Sequence, residues 1–205
     1  RLVDELCDET RFRKLVHGPL IHLKPMAGNG LFTAETSDPT WGKAHRVLMP
    51  AFGPNAMRDY FDGMLDIADQ LIVKWVRKGE RCDHDVASEM TQLTLDTIAL
   101  CGFGYRFNSF YQNEMHPFIG AMVDGLAEAG ARSRRPGIVN RVKLSTQRRY
   151  GADIALMHEV SDALIAERRA DPDGSKKNDL LARMLSAQDP ITGERLSDEN
   201  IRYQM

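Results

Sequence analysis

Apolar residues recur at three- and four-residue steps along most of the chain, which is the spacing of one buried face of an α-helix. The longest such pattern begins at Pro54, a residue suited to a first helical position, and ends at Gly79. The same spacing predicts helices from about residue 117 to just before residue 136, and from about residue 149 to residue 169. A further helix is predicted to end at Gly102. Signals for β-strands are weak throughout, so the predicted class is mainly α-helical.

Short polar side chains mark the starts of three further helices. Asp38, Asp179 and Ser197 are each suited to accept a hydrogen bond from an N–H of a first helical turn. The helix after Asp38 is predicted to end at Pro50. Between residues 18 and 30, two prolines and a Gly-Asn-Gly triplet interrupt the pattern, so this stretch is predicted to be mostly loop.

The composition is that of one ordinary soluble globular unit. The 205 residues include 27 Lys and Arg against 29 Asp and Glu, and the formal charge of -2 argues against wholesale nucleic-acid binding. The longest apolar run, residues 98–103, is too short to span a membrane. Three widely spaced cysteines without a CxxC pair predict neither a disulfide framework nor a zinc site, and they suit a reducing, cytoplasmic setting.

The two ends predict a chain truncated on both sides. Arg1 opens inside an amphipathic pattern, without an initiator Met or a signal region. The helix predicted after Ser197 has barely two turns before Met205. We therefore expect a fragment of a longer protein.

Two motifs with possible chemistry favour ordinary structural roles. Gly28-Asn29-Gly30 resembles the start of a phosphate-binding loop, but the third glycine would fall at Thr33 and no strand precedes it. A turn with positive φ, which presents the two residues that follow, is the better interpretation. Asp62, Asp66 and Asp69 share a helix face, and a solvated face is favoured over a metal site because no further ligand has a suitable spacing.

The segment from Ala131 to Tyr150 contains seven basic residues and no acidic residue. Such a run is able to dock an acidic partner or an anionic surface. Because no aromatic residues alternate with the basic ones, a solvated loop between two helices is the favoured prediction.

Trp41 and His45 lie one helical turn apart, and each ring carries an N–H donor. Together they are able to hold an anion such as a propionate or a phosphate. On spacing alone, a half-buried aromatic pair is the favoured alternative.

Several sequence strings are more specific than these patterns. GNGLFT at residues 28–33, WGKAH at 41–45, LTLDTI at 93–98 and CGFGYRFNSF at 101–110 resemble a cytochrome P-450 haem domain. DP at 189–190, TGE at 192–194 and DENIRYQ at 198–204 are similar to the bacterial self-sufficient fatty-acid hydroxylases, in which this domain is fused to a flavoprotein reductase. The similarity covers nearly the whole chain and is weakest between residues 131 and 149.

The resemblance implies that residues 1–205 are the front half of a P-450 haem domain. It implies haem b held by a cysteine thiolate, with electrons from NADPH passing through FAD and FMN to activate O2. Neither Cys7, Cys82 nor Cys101 has the sequence context of that ligand, so the catalytic residues and the metal ligand are expected outside this chain. The implied reaction is hydroxylation of long-chain fatty acids or similar apolar substrates.

The resemblance also implies roles for individual residues. Trp41 and His45 correspond to residues that face the haem propionates, and Leu31 to one beside the porphyrin. The implied substrate-contacting residues are Phe32 above the haem, Leu20, Leu23 and Ala27 in the channel lining, and Met122, Leu126 and Ala129 in the roof helix. Ordinary core packing is an equal alternative for each apolar residue.

Two alternatives to a fragment of a haem-thiolate monooxygenase stay open from the sequence. One is a non-catalytic helical ligand-binding or interaction module. The other is a truncated relic that forms no stable protein, because its apolar faces lack partners.

Overall fold

The computed structural model describes residues 2–8, 10–79, 82–112 and 115–205; most of these residues are helical and none of them forms a strand. The α-helices are α1 (Leu2–Leu6), α2 (Pro19–Ala27), α3 (Pro39–Leu48), α4 (Pro54–Lys78), α5 (Val86–Phe103), α6 (Pro117–Arg134), α7 (Gly137–Val142), α8 (Leu144–Ala170), α9 (Leu180–Ser186) and α10 (Asp198–Arg202). Two short 3₁₀ turns, Met49–Phe52 and Gly174–Lys176, lie between them. The predicted helical class is confirmed. Within the described ranges, no helix is both long and apolar enough to cross a membrane.

The three predicted helix starts have the expected caps. The Asp38 carboxylate accepts the N–H of Thr40, and the Ser197 hydroxyl oxygen accepts the N–H of Asn200. The Asp179 carboxylate accepts the N–H of Ala182 at 2.8 Å. These contacts satisfy donors that have no partner inside the helix.

The prediction of loop structure between residues 18 and 30 is wrong, because α2 occupies most of it. Pro19 lies at the start of the helix, where its missing N–H costs nothing. Leu23 and Met26 are buried against α6 and α8, and this burial outweighs the second proline, Pro25, inside the helix.

The prediction of a solvated loop over residues 131–150 is also wrong. The end of α6, all of α7 and the first turns of α8 lie there. Arg and Gln are good helix formers, and buried Tyr150 anchors the start of α8 to the core. The basic residues therefore project from helices.

Two apolar clusters organise the part of the chain that carries the site. The α3–α10 cluster joins α3, α8, α9 and α10, and contains Ala44, Val47, Leu48, Ile165, Leu181, Met184, Leu196 and Ile201. The α2–α6 cluster joins α2, α6 and α8, and contains Leu23, Met26, Ala121, Ala129, Tyr150 and Met157. Helix α8 contributes to both clusters and so links them.

A buried ion pair connects α8 to the start of α9. Arg168 donates to the Asp179 carboxylate at 2.7 Å and to the Phe103 carbonyl at 2.8 Å. The side chains of this pair are only 5% and 9% exposed. The pair thus holds α9 against the end of α5.

Candidate functional site

The turn after α2 is closed by its own hydrogen bonds. Gly28 has a φ of 43°, as the sequence predicted for this triplet. The Thr33 hydroxyl, which is fully buried, donates to the carbonyls of Gly28 and Ala27 at 2.7 and 3.1 Å. Phe32 projects from this closed turn with 68% of its surface exposed.

Helix α10 and the residues after it hold the turn from one side. The Gln204 side-chain oxygen accepts the N–H of Leu31 at 2.9 Å, and the Asn200 side chain donates to the Asn29 carbonyl at 3.3 Å. A Cβ at Gly28 would overlap the Tyr203 ring, so only glycine fits there. Leu31 itself packs against the α3–α10 cluster.

Lys14 holds the turn from the other side. Its Nζ donates to the carbonyls of Leu31 and Ala34 at 2.6 and 2.5 Å. Partial burial lowers the pKa of Lys14, with Glu35 acting in the opposite direction. Sequence reasoning missed this residue because a lone lysine in a loop carries no pattern that indicates its distant partners.

Trp41 and His45 stack on the same side of α3. Their ring centroids are 4.8 Å apart, the planes are inclined by 12°, and both side chains are half-buried. Among the described residues, neither ring has a protein hydrogen-bond partner. Trp41 also lines a groove of about 560 Å³ together with Phe12, Lys14 and Thr36. The arrangement presents unpaired ring N–H groups beside the lysine that holds the Leu31 turn.

The predicted channel residues of α2 and α6 come together in the structure. Leu23 and Ala129 are buried in the α2–α6 cluster, and Leu20 and Met122 pack at its edge. Leu126 is 48% exposed on α6, and Ala27 is half-buried at the end of α2. Leu31 lies instead against the α3–α10 cluster, so the structure divides the predicted residues between two clusters.

The cysteines and the acidic face of α4 have ordinary structural surroundings. Cys7 and Cys82 are exposed. Cys101 is half-buried with its Sγ 3.6 Å from the Tyr60 carbonyl, and burial raises the pKa of its thiol. Asp66 pairs with Arg106 at 2.6 Å. Within the described ranges, no group of three or more His, Cys, Asp or Glu side chains is placed to hold a metal ion.

The helical fold agrees with the haem-domain resemblance of the sequence. The family model for cytochrome P450 matches residues 6–205. The chain belongs to the cytochrome P450 family.

Its relatives include multidomain enzymes. The chain is 51% identical over 204 residues to the bifunctional cytochrome P450/NADPH–P450 reductase 2 of Bacillus subtilis (strain 168), covering 100% of this chain and 19% of the relative. It is 48% identical over 202 residues to a self-sufficient cytochrome P450 monooxygenase of Phanerodontia chrysosporium, and this match covers 98% of this chain and 19% of the relative. The chain thus spans about a fifth of the length of these relatives.

A solved structure has the same fold. The crystal structure of the cytochrome P450DA heme domain superimposes with a TM-score of 0.87 at 48% sequence identity. The match covers 99% of this chain and 43% of that domain. The helices described above therefore correspond to part of a P450 haem domain.

Proposed function

We propose that this chain is the front part of the haem domain of a self-sufficient monooxygenase, working in the cytoplasm. The full-length protein would bind haem b and take electrons from NADPH through the FAD and FMN of a flavoprotein reductase. It would use O2 to hydroxylate long-chain fatty acids or similar apolar substrates. The names of the relatives, and their identity of about half over nearly all of this chain, support the reductase partner.

The observation that carries the proposal is the pair of unpartnered rings on α3. In the part of the chain that the structure describes, their ring nitrogens have no protein partner and are open to solvent, so the N–H groups are free to donate to a carboxylate that docks against this face of α3. Trp41 Nε1 and the ring N–H of His45 are suited to hold the two propionates of haem through charge-assisted hydrogen bonds. When bound, haem supplies the O2 activation that no side chain of a protein provides.

The side chains of the chain would then orient the cofactor and the substrate. Lys14 and Gln204 fix the main chain on both sides of Leu31, so that Leu31 lies against the core and Phe32 is held outward. A rigid aromatic in this position restricts which substrate carbon approaches the reacting centre. Phe32 is therefore proposed to govern where the substrate is oxidised.

The proposed substrate class follows from the residues on α2 and α6. Leu20, Met122 and Leu126 present apolar surface at the edge of the α2–α6 cluster. Each methylene of an acyl chain that such surface buries contributes about 0.8 kcal/mol. A long acyl chain gains enough from this burial to bind without many polar contacts.

The test is to express the full-length protein and to measure haem content, the thiolate absorbance signature of its reduced carbon monoxide complex, and NADPH-dependent fatty-acid hydroxylation. All three are expected. A protein that takes up no haem would contradict the proposal and leave the non-catalytic helical module as the explanation. Haem binding without fatty-acid turnover would overturn the substrate class alone.

Trp41→Phe tests the proposed propionate contact, because it keeps the ring and removes its N–H. Haem transfer to an acceptor protein is expected to become about 10-fold faster, the effect of one lost charge-assisted hydrogen bond. The matched control is Trp75→Phe on α4, which removes an indole N–H bonded to Glu89 on α5. If both variants release haem at the same rate, Trp41 has only a structural role.

A further inference from the structure

Helix α2 depends on its neighbours for its position. It has nine residues, and its N-cap is Gly18, which has no side chain to bond the first helical turn. It also contains Pro25, whose missing N–H removes one of the hydrogen bonds inside the helix. A helix this short is marginally stable in water without tertiary contacts. The place of α2 in the fold is therefore set by the helices that pack against it.

Two side chains of α8 bond to the backbone of α2. The Tyr150 hydroxyl donates to the His22 carbonyl, in the middle of α2, at 2.6 Å. Near the end of α2, His158 Nε2 lies 2.8 Å from the Met26 carbonyl. A carbonyl only accepts, so His158 Nε2 carries the hydrogen of this bond. Among the described residues, no side chain of any other helix donates to α2.

The contact with His158 satisfies a carbonyl that the helix itself leaves free. The last four carbonyls of a helix have no N–H partner inside it. The N–H groups of Gly28 and Gly30 bond to two of these carbonyls at the end of α2. His158 bonds to a third, that of buried Met26. Without the ring donor of His158, this buried carbonyl would lose its partner.

Tyr150 joins three helices at one ring. The residue lies on α8 with 3% of its surface exposed, and the Arg132 guanidinium of α6 lies 4.2 Å from its ring centroid. Arg132 is itself paired with Glu128 at 2.9 Å. Burial raises the pKa of Tyr150, so the hydroxyl keeps the proton that it donates to α2. Helix α6 thus holds the ring whose hydroxyl holds α2.

Helix α2 carries Leu20, Leu23 and Ala27, which are the proposed channel lining. Leu23 belongs to the α2–α6 cluster, and Leu20 packs against that cluster together with Met122 of α6. Apolar attraction of this kind has no preferred direction. A hydrogen bond, in contrast, weakens steeply when its angle changes. The two bonds from α8 therefore fix where α2 lies relative to α6.

We propose that Tyr150 and His158 are positioning residues for the substrate. By holding the His22 and Met26 carbonyls, they keep α2 at one distance from α6 and so set the width of the apolar channel between the two helices. They act through α2 and not by contact with the substrate. This inference rests on the proposed function for the identity of the substrate, whereas the hydrogen bonds that carry it are properties of the fold.

Loss of either bond should weaken substrate binding without slowing the chemical step. When α2 is displaced for part of the time, only the remaining fraction of molecules binds substrate, and the apparent affinity falls by that fraction. One neutral hydrogen bond corresponds to a factor of about 5 in such an equilibrium. Tyr150→Phe and His158→Leu should therefore raise KM about 5-fold and leave kcat within about 2-fold.

The test uses the full-length protein with palmitate as the substrate, and product formation with NADPH gives KM and kcat. Amide hydrogen exchange of α2, followed by mass spectrometry, reports on the position of α2 whether or not the protein turns over. Amides of α2 should exchange about 5-fold faster in Tyr150→Phe and in His158→Leu. Those of α4 should keep the wild-type rate, which shows that the variants are folded.

Two further variants separate the hydrogen bonds from the loss of a side chain. Tyr105→Phe removes a hydroxyl that contacts His116 at 3.4 Å and not a carbonyl of α2. It should match the wild type in KM and in the exchange of α2. His158→Gln keeps a side-chain N–H of similar reach, so KM and exchange should stay close to the wild-type values.

Three results would overturn the inference. Wild-type exchange of α2 in both Tyr150→Phe and His158→Leu would show that α8 does not hold α2. Faster exchange with an unchanged KM, or an equal rise of KM in Tyr105→Phe, would leave the two contacts with a structural role only. A wild type that hydroxylates no fatty acid would instead overturn the proposed function, and the exchange of α2 would still decide whether the two residues hold this helix.

Discussion

The backbone N–H of Leu31 donates to the side-chain oxygen of Gln204 at 2.9 Å, across 173 residues of sequence. Asn200 makes a second contact of this kind, with the carbonyl of Asn29. Because Phe32 follows Leu31 directly, its position depends on α10 as well as on its own turn. The end of the chain thereby helps to shape the proposed substrate site near its beginning.

Replacing Gln204 by Ala should destabilise the full-length protein by about 1 to 2 kcal/mol, because the partly buried N–H of Leu31 loses its acceptor. The thermal unfolding midpoint measures the effect. Gln112→Ala is the matched control, since its side chain bonds weakly to the nearby Phe107 carbonyl and is exposed. Equal midpoints for the two variants would show that the Gln204 contact contributes nothing.

Replacing Lys14 by Met should free the carbonyls of Leu31 and Ala34 and cost about 2 kcal/mol of stability. With Leu31 held from one side only, the Phe32 ring gains freedom, and the products of fatty-acid hydroxylation should spread over more carbon positions. Lys24→Met, on the exposed face of α2, is the control. An unchanged product distribution in Lys14→Met would contradict a role for Lys14 in positioning Phe32.

Replacing Asp179 by Ala should destabilise the protein by about 3 to 5 kcal/mol, because it leaves buried Arg168 without its carboxylate. It also removes the cap on α9. Chemical denaturation measures the loss. Asp173→Ala, whose pair with Lys176 has side chains 71% and 77% exposed, should change stability by less than about 1 kcal/mol. A small effect at both positions would argue against the buried pair as a stabilising contact.

Glu89 should make the free energy of unfolding depend on pH. Burial raises the pKa of its carboxyl, but hydrogen bonds from Trp75, Lys78 and Lys74 outweigh burial and lower the pKa to about 2. A folded-state pKa below the unfolded one adds stability above about pH 4.5, and this contribution is lost as the pH falls toward about 2. Wild type should therefore lose more stability on acidification than Glu89→Gln.

Urea unfolding midpoints at about pH 6 and about pH 3 test this difference. Glu159→Gln removes an exposed carboxyl on α8 and is the control. The urea midpoint of Glu159→Gln should match that of the wild type at both pH values. If Glu89→Gln does the same, the contacts of Glu89 add no pH-dependent stability.

Local patterns predicted most of the helices because most of them have a buried face, and α3, α9 and α10 also begin at a side-chain cap. Helices α4, α6 and α9 follow their apolar spacing closely. Helix α2 was missed because two prolines outweighed its apolar residues in the sequence, whereas burial of Leu23 and Met26 decides the outcome in the fold. Helix α7 has no buried side chain, so no apolar pattern exists from which to predict it.

The candidate site was only partly visible in the sequence. Spacing predicts that Trp41 and His45 share a helix face, and they stack as expected. The same stacking fits either an aromatic pair or a propionate site, so only the resemblance to a family favours the second. Lys14 and Gln204 escape prediction because their partners are main-chain groups of a distant turn.

The contact between Gln204 and Leu31 also has a consequence for the order of events during synthesis. A ribosome adds about 5 to 20 residues per second, so roughly 10 to 35 seconds separate the emergence of these two residues. Helix α2 and its turn exist during that interval without the contacts from Asn200 and Gln204. The loop that carries Phe32 is therefore completed only after helices α3 to α9 have been synthesised.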